Sequence, residues 1–590
     1  MSAIPPASPP PPTTTLETWL QRVGKARRIG DYLHMFDLAS HGLAELPGAI
    51  ELEYQSLLAL ARAGATNRAQ ARVEALEKAG KLAAIADRRL ANDFAALEGR
   101  LLKDRAVEAT GAKRTEFLRA SAAAYEAAFR RGNDDHYLAI NAASMWFLAG
   151  DGKRAAAMAH EALRLAAGSP DDYWAAASAG EASVLLDDIA GAVATLGRAV
   201  RLPGVTQDQI AATRKQMRLL SEVKGLGRAL VDALGEPAVV CFLRDRGATA
   251  PAFDGSPAAR EALAAALDRA MPRDGAATAF LTLLDPLDIC LAQALLERET
   301  ELNLVLPSSA DVCREAAGTE WDAPYRDCVA RARTVSVVTD AGRADEPTSL
   351  LLCAEQEMGL TLLRAEALDT TARRMMLTAP GGTLAFEAAP LLARKRGRIG
   401  GAASDPAPPA RVKRALVFGD VKGFSTLKEP DMPAFLDHVI GGFGDALDAF
   451  GAAVEYAETA GDGIYLVVSD VATAARCCLA LQDTMRPERL AKVGLPNVQG
   501  LRVSAHVGPV SRGYDRVTKR NKFFGTEIIR TARIEPVTQV GAIYVTEQFA
   551  ATLYCEAGGE FRCEYVGIQP MAKGYGQCRM YSLRRARPAE

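Results

Sequence analysis

Residues 414–425 read Arg-Ala-Leu-Val-Phe-Gly-Asp-Val-Lys-Gly-Phe-Ser, and residues 460–468 read Ala-Gly-Asp-Gly-Ile-Tyr-Leu-Val-Val. The first stretch has the apolar pattern of a strand and carries Asp420 into a turn containing Gly423. The second sets Asp462 in a Gly-Asp-Gly turn just before another apolar strand. Two carboxylates presented this way can hold a pair of hard divalent cations over a triphosphate. The turn Gly423, Phe424, Ser425 can aim backbone N–H groups at phosphate oxygens, as helix N-termini do. The competing reading makes Asp420 and Asp462 two turn-capping aspartates.

Composition narrows the rest. The 590 residues are 49% hydrophobic and 24% charged, an ordinary globular balance with ample core. That length predicts roughly three to four domains. A net charge of −2 argues against a general nucleic-acid or anionic-membrane binder. No run of about 18 apolar residues occurs, so no membrane span is expected. The Pro-rich start, residues 1–14, lacks a basic n-region and an apolar core, so it is expected to be a disordered lead-in rather than a signal peptide. Ten cysteines lie scattered without a CxxC pair, which predicts reduced core thiols, no zinc site and a cytoplasmic location.

Residues 15–234 are Ala/Leu/Arg-rich with helical periodicity and an internal repeat. Asp134-Asp135-His136-Tyr137-Leu138 recurs as Asp171-Asp172-Tyr173-Trp174-Ala175, and Gly150-Asp151 as Asp187-Asp188, each offset by 37 residues. Each unit reads as helix, short Gly/Asp turn, helix. This resembles tetratricopeptide repeats, whose period is about 34. Residues 44–80 read as a weaker copy. A helical solenoid offers a concave surface to a protein partner; a plain helical bundle is the alternative. Residues 235–383 alternate strands with helices. Strands are expected at 238–243, 277–284, 302–306, 334–339 and 374–378, and helices at 257–270, 289–297, 323–332 and 349–368. That alternation predicts a doubly wound, Rossmann-like parallel sheet. Its order, and the turn Leu284-Asp285-Pro286-Leu287-Asp288-Ile289, resemble SLOG-type sensor domains, which bind nucleotide-derived ligands. The loop Arg244-Asp245-Arg246-Gly247 lacks the Gly cluster of a phosphate-binding turn. Residues 384–412 read as a linker with a basic run, Arg394-Lys395-Arg396-Gly397-Arg398, and a Pro-rich stretch from Ser404 to Pro409.

Five ordered segments in residues 413–590 carry a stronger resemblance. They are Phe418–Ser425, Glu458–Gly463, Leu501–Pro509, Phe524–Glu535 and Ala572–Gly576. Together they resemble the class III nucleotide cyclase catalytic domain. The resemblance implies a ferredoxin-like α+β fold and a head-to-tail homodimer with its active sites at the interface. It implies that Asp420, Asp462 and the Val421 carbonyl bind two Mg²⁺ or Mn²⁺ ions beneath a nucleoside triphosphate. Arg502 would contact phosphate, its fork suiting that task. Lys573 would neutralise the polyphosphate, and Arg533 would stabilise charge developing at the α-phosphorus. Bland readings of Arg502 as a surface strand residue and Lys573 as a loop lysine stay open.

Two positions depart from the family pattern. Ile529 stands where an asparagine usually hydrogen-bonds the ribose. Glu458 and Lys522 stand where adenylyl cyclases place a lysine and an aspartate to read adenine. With the charges exchanged, the pair suits guanine or cytosine; alternatively, the two residues pair with each other. Family frequency favours ATP, so the base stays open. Arg530 is expected to point away from the ribose position, and His506 to be packed. The expected function is a nucleotide cyclase regulated by its N-terminal repeats and sensor domain. The alternative is a signalling scaffold whose cyclase-like domain binds nucleotide without turnover.

Overall fold

Four aspartates start four successive helices in the N-terminal part of the chain, and they are the residues that repeat. In the computed structural model, Asp135 and Asp172 cap His136–Leu148 and Tyr173–Leu185. Asp151 and Asp188 cap Gly152–Ala166 and Ile189–Ala199. Each carboxylate accepts a backbone N–H at 2.8–3.0 Å. A cap of this kind stabilises a helix by about 1 kcal/mol. The turn before the second helix of each pair needs a left-handed residue, supplied once by Gly150 (φ 86°) and once by Asp187 (φ 65°). Small residues let the helices close up. Ala155, Ala159 and Ala162 are buried, and a Cβ on Gly180 would come within 2.8 Å of Leu196. The weaker upstream copy, Ile50–Arg62 and Thr66–Lys78, has Ala49 and Ala65 at its N-caps and no side-chain cap bond. Between the copies, the longer helices Arg88–Glu108 and Gly111–Arg130 break the period.

The structure describes residues 14–28, 31–131, 135–244, 253–271, 277–339, 343–379, 383–393 and 411–586. The Pro-rich lead-in apart from Thr14, Asp134, the turn at 245–247, the basic run from Arg394 to Arg398 and the stretch from Ser404 to Pro409 lie outside the described residues. The chain divides into two units, Met1–Glu236 and Pro237–Pro588. Among the described residues, no helix is long and apolar enough to cross a membrane. All ten cysteines are free thiols, seven of them buried.

The second unit begins with six strands: β1 (Ala238–Arg244), β2 (Ala277–Leu281), β3 (Glu301–Leu306), β4 (Thr334–Val337), β5 (Ala372–Thr378) and β6 (Ala385–Pro390). Their order is β4-β3-β2-β1-β5-β6, with β1–β5 parallel and β6 antiparallel to β5. The chain thus winds from β1 to one edge and then crosses to the other side of β1. Several expectations need correction. β2 stops at Leu281, because Leu284 N–H is taken by Asp288 and Asp285 caps the helix Pro286–Leu296. β4 ends at Val337. The helix Ala310–Ala317, capped by Ser309, and the antiparallel β6 were not anticipated. In such sheets, ligands bind beyond the strand ends where the winding reverses. Here, among the described residues, Arg244 stands at that end of β1, paired with Asp285 and with Asp288 (3.0 Å).

Eight strands follow: β7 (Val412–Lys422), β8 (Val454–Ala460), β9 (Gly463–Val468), β10 (Gly500–Asp515), β11 (Arg520–Phe524), β12 (Ile543–Thr546), β13 (Phe561–Pro570) and β14 (Gln577–Arg585). They form one sheet ordered β13-β14-β12-β10-β7-β9-β8, with β11 paired to β10. The four strands at one end of the sheet, β10-β7-β9-β8, are antiparallel throughout. Together with the helices Gly441–Asp448 and Val471–Thr484, they make a ferredoxin-like βαββαβ core. Strand alternation sorts the two faces. Ala415, Val417 and Val421 of β7, with Leu501, Val503 and Ala505 of β10, join the apolar core beneath those helices. Asp420, Arg502, Ser504 and His506 therefore face the other way, toward the helix Thr526–Ile534, which packs on β7 and β10.

The two sheets of this unit share a core. Leu352 and Cys353 of the helix Pro347–Ala367 cluster with Phe549 and Leu553 of the helix Glu547–Ala557. The two helices approach closely at Gly359, where a Cβ would lie 2.6 Å from the carbonyl carbon of Ala551. Lys413 joins Glu355 at 2.7 Å and Glu556 at 3.5 Å across the same contact.

Candidate active site

Asp420 sits near the end of β7, directly opposite Arg502 of β10 and Gly463 of β9. Asp462 occupies the β8–β9 turn, where its carbonyl accepts the Val421 N–H at 3.2 Å. The hairpin and its neighbour thus bring both sequence-expected carboxylates to the same end of the sheet. Arg502 donates to the Asp420 carboxylate and places its Nε 2.8 Å from Glu535. Glu535, just past the helix Thr526–Ile534, was not anticipated as a site residue. It closes one of the five matched segments, and that position was its only cue.

The electrostatics show an excess of negative charge. Burial and the nearby Asp420 carboxylate raise the Asp462 pKa. Burial, reinforced by Asp420 and Asp462 and opposed by Arg502, pushes Glu535 up to about 7. Three carboxylates share one guanidinium. Among the described residues, no cluster of three or more His, Cys, Asp and Glu is arranged to hold a metal alone. Mg²⁺ does not require one, since it binds through one or two carboxylates plus substrate phosphates. The donor set therefore fits a hard cation arriving with a polyphosphate.

Gly423 has φ 100°, and a Cβ there would lie 2.6 Å from the Asn497 carbonyl, so the turn after Asp420 needs glycine. Phe424 packs its ring on Phe435 at 4.8 Å, and Ser425 is exposed. Arg533 is half-buried on its helix, and Lys573 is exposed in a tight turn with φ 59°. A left-handed lysine costs about 1–2 kcal/mol. The loop is closed by Met571 N–H donating to the Gly576 carbonyl at 2.8 Å, and the Arg533 helix packs beside it. Neither Arg533 nor Lys573 has a hydrogen bond or ion pair among the described residues. Ile529 lies on the same helix, 45% exposed.

Glu458 of β8 and Lys522 of β11 meet at 3.2 and 3.4 Å. Tyr456 Oη donates to Glu458 at 2.7 Å, and Asp515 lies 3.3 Å from Lys522. His506 is fully buried between Thr546 (2.8 Å) and Glu527 (3.0 Å). Burial lowers the imidazole pKa, opposed by the Glu527 carboxylate, and the ring is packed away from solvent. Arg530 turns away from the site and pairs with Glu527 at 3.1 Å.

Residues 411–585 match the family model described as adenylate and guanylate cyclase catalytic domain, and residues 31–146 match tetratricopeptide repeats-sensor. No curated protein matches the chain. Among solved structures, the chain is similar to the adenylyl cyclase CyaB from P. aeruginosa. Identity is 15%, with 30% of this chain and 94% of that chain covered, at a TM-score of 0.27. It is also similar to the guanylate cyclase domain of RhGC from Catenaria anguillulae, at 19% identity over 29% of this chain and 96% of that chain, TM-score 0.25. An adenylate cyclase from Trypanosoma brucei matches at 19% identity over 33% of this chain and 96% of that chain, TM-score 0.26. The chain thus carries a class III adenylate/guanylate cyclase catalytic domain at its C-terminus and tetratricopeptide repeats of the sensor type in its N-terminal part.

Proposed function

We propose that the C-terminal domain, residues 413–590, converts a nucleoside triphosphate into a 3′,5′-cyclic monophosphate and pyrophosphate. The observation that carries this reading is the convergence of Asp420 and Asp462 at one end of the sheet, in a setting short of positive charge. Asp420, Asp462 and the Val421 carbonyl would hold two Mg²⁺ or Mn²⁺ ions, which when bound would neutralise the triphosphate and acidify the ribose 3′-hydroxyl. Arg533 and Lys573, both unpaired among the described residues, would meet phosphate: Arg533 at the α-phosphate and Lys573 along the chain. Arg502, now held by Asp420 and Glu535, would turn its fork to phosphate once a cation takes up Asp420. The turn at Gly423, Phe424 and Ser425 contributes backbone, not side chains, to the phosphate cradle. Glu458 and Lys522 hold each other at the position where the base would be read, so base choice depends on how that pair opens.

The likeness to cyclase domains supports a head-to-tail homodimer with two sites. The helical repeats and the Rossmann-like, SLOG-resembling sheet would regulate the domain by sensing a partner or ligand. A second reading rests on Ile529. Its exposed apolar side chain offers the ribose no hydrogen bond, which favours a nucleotide-binding scaffold with weak or absent turnover. Incubating the full-length protein with each of the four NTPs and Mn²⁺, followed by mass spectrometry, separates the two. A cyclic product supports the enzyme and names its base; unchanged NTP in all four overturns it.

A further inference from the structure

The helical repeat that caps a helix with Asp135, and again with Asp172, sets an aromatic residue two places further on. Tyr137 and Trp174 are these equivalent residues, and both are half-buried. Residues from distant helices of the first unit gather around them. Arg62 ends the helix Ile50–Arg62, yet its guanidinium carbon lies 5.8 Å from the Trp174 ring centroid and 5.9 Å from that of Tyr32. Lys103 of the helix Arg88–Glu108 donates to Gln216 of the helix Gln207–Lys224 at 2.7 Å. Contacts so far apart in sequence mean that the stack curls around a common inner face, as solenoids do.

Arg62, Arg100 and Lys103 share that face, and their bonds are incomplete. Arg62 is half-buried and has no hydrogen bond or ion pair among the described residues. Arg100 faces Asp104 at 3.9 Å, too long for a hydrogen bond, and its buried Nε has no partner. Lys103 is held by the neutral Gln216. A second carboxylate, Glu181, is engaged by Ser144 and by Gln216 at 2.7 Å. The three cations act together on Tyr137: burial pushes its phenol up, but Arg62, Arg100 and Lys103 outweigh burial and the pKa is lowered. Burial and the neighbouring Arg100 lower the Arg62 pKa in turn. A neutral phenol oxygen is a weak counterpart for such a group. Guanidiniums that give up water without gaining an oxyanion leave N–H donors unmade.

The shape of the cluster says which oxyanion suits it. One carboxylate, with two oxygens and one charge, occupies a single guanidinium fork. Two guanidiniums and an ammonium converging from two helices match the three oxygens and double charge of a phosphate group. The half-buried rings of Tyr32 and Trp174 stand beside Arg62 as flat apolar surface. We propose that this inner face of the helical repeats binds phosphate, free or as the ester of a small molecule, on Arg62, Arg100 and Lys103. All of these residues belong to the first unit, so the inference does not rest on the catalytic proposal.

Equilibrium dialysis of the full-length protein in EDTA tests this, with inorganic phosphate and phenyl phosphate as probes and phenol as the uncharged control. Both phosphates are expected to bind and to compete with each other, and phenol is not. Tighter binding of phenyl phosphate identifies the ester as the ligand; equal affinity identifies free phosphate. Arg62→Gln and Arg100→Gln are each expected to weaken binding by roughly tenfold or more. Arg62 is unpaired among the described residues, so Arg62→Gln breaks no hydrogen bond or ion pair there and keeps the test sound should Arg100→Gln misfold. Lys573→Ala, in the cyclase domain, is expected to leave binding unchanged. Failure of both phosphates to bind at millimolar concentration, unaltered affinity in Arg62→Gln, or loss of binding in Lys573→Ala would overturn the assignment. Binding of a hexaglutamate peptide with neither phosphate would overturn it too, and would give the face to an acidic protein segment.

Discussion

Arg502 stands between three carboxylates and cannot neutralise them all. Asp462 and Glu535 are both pushed above their ordinary values, mainly by burial and then by neighbouring carboxylates. A raised carboxyl pKa means that the folded chain holds the proton more tightly than the unfolded one. For Glu535 that stabilisation is complete below the unfolded value of 4.5 and is lost as pH rises through about 7. The melting temperature of the EDTA-treated protein should therefore fall as pH rises across that window. Glu535→Gln should flatten the slope, and Mg²⁺ should raise the melting temperature most at the alkaline end. A slope unaffected by Glu535→Gln would remove Glu535 from the cluster. Ile529 allows a gain-of-function test. Ile529→Asn replaces a 45% exposed side chain, so folding should not suffer. A restored ribose hydrogen bond worth about 1 kcal/mol should raise kcat/KM roughly fivefold. An unchanged or lower value would mean that the ribose is held elsewhere.

At the level of elements, local chemistry decided what could be read. The strand–Asp–turn patterns around Asp420 and Asp462 were legible because apolar alternation and glycine turns are short-range. The 37-residue period was legible because the same aspartate recurs at each N-cap. Edge strand β6 was not. Its sequence, Ala-Phe-Glu-Ala-Ala-Pro, has little β-branched content, and its pairing comes from β5. Glu535 and the Thr339–Glu527 bond depend on contacts distant in sequence, which no local pattern announces. The caps supply a direct prediction. Asp172→Ala should destabilise the first unit by about 1 kcal/mol, visible as a lower urea midpoint. The weaker upstream copy has Ala49 at the equivalent position, so Ala49→Asp should raise the midpoint instead. At the helix contact within the second unit, Gly359→Ala should cost about 1–3 kcal/mol or more, because the methyl meets the backbone of Ala551. A stability equal to wild type would show that the two helices can separate without cost.

Across the whole molecule, the α/β sheet and the cyclase domain share one apolar core. A fragment starting at residue 237 retains both sides of that core. One starting at residue 384 leaves Phe549 and Leu553 without Leu352 and Cys353. The shorter fragment should melt at a lower temperature and bind more of an apolar dye. Regulation belongs to this scale too: the full chain should differ in NTP turnover from the fragment starting at 237. Equal rates under every condition would leave the helical repeats without a regulatory part. The central claim itself is that Asp420 serves a cation needed for chemistry at the triphosphate. Mn²⁺-dependent release of pyrophosphate by wild type and by Asp420→Asn tests it most directly. The account predicts release that requires Mn²⁺ in wild type and falls by at least roughly a hundredfold in the variant. Equal release from both proteins would contradict it.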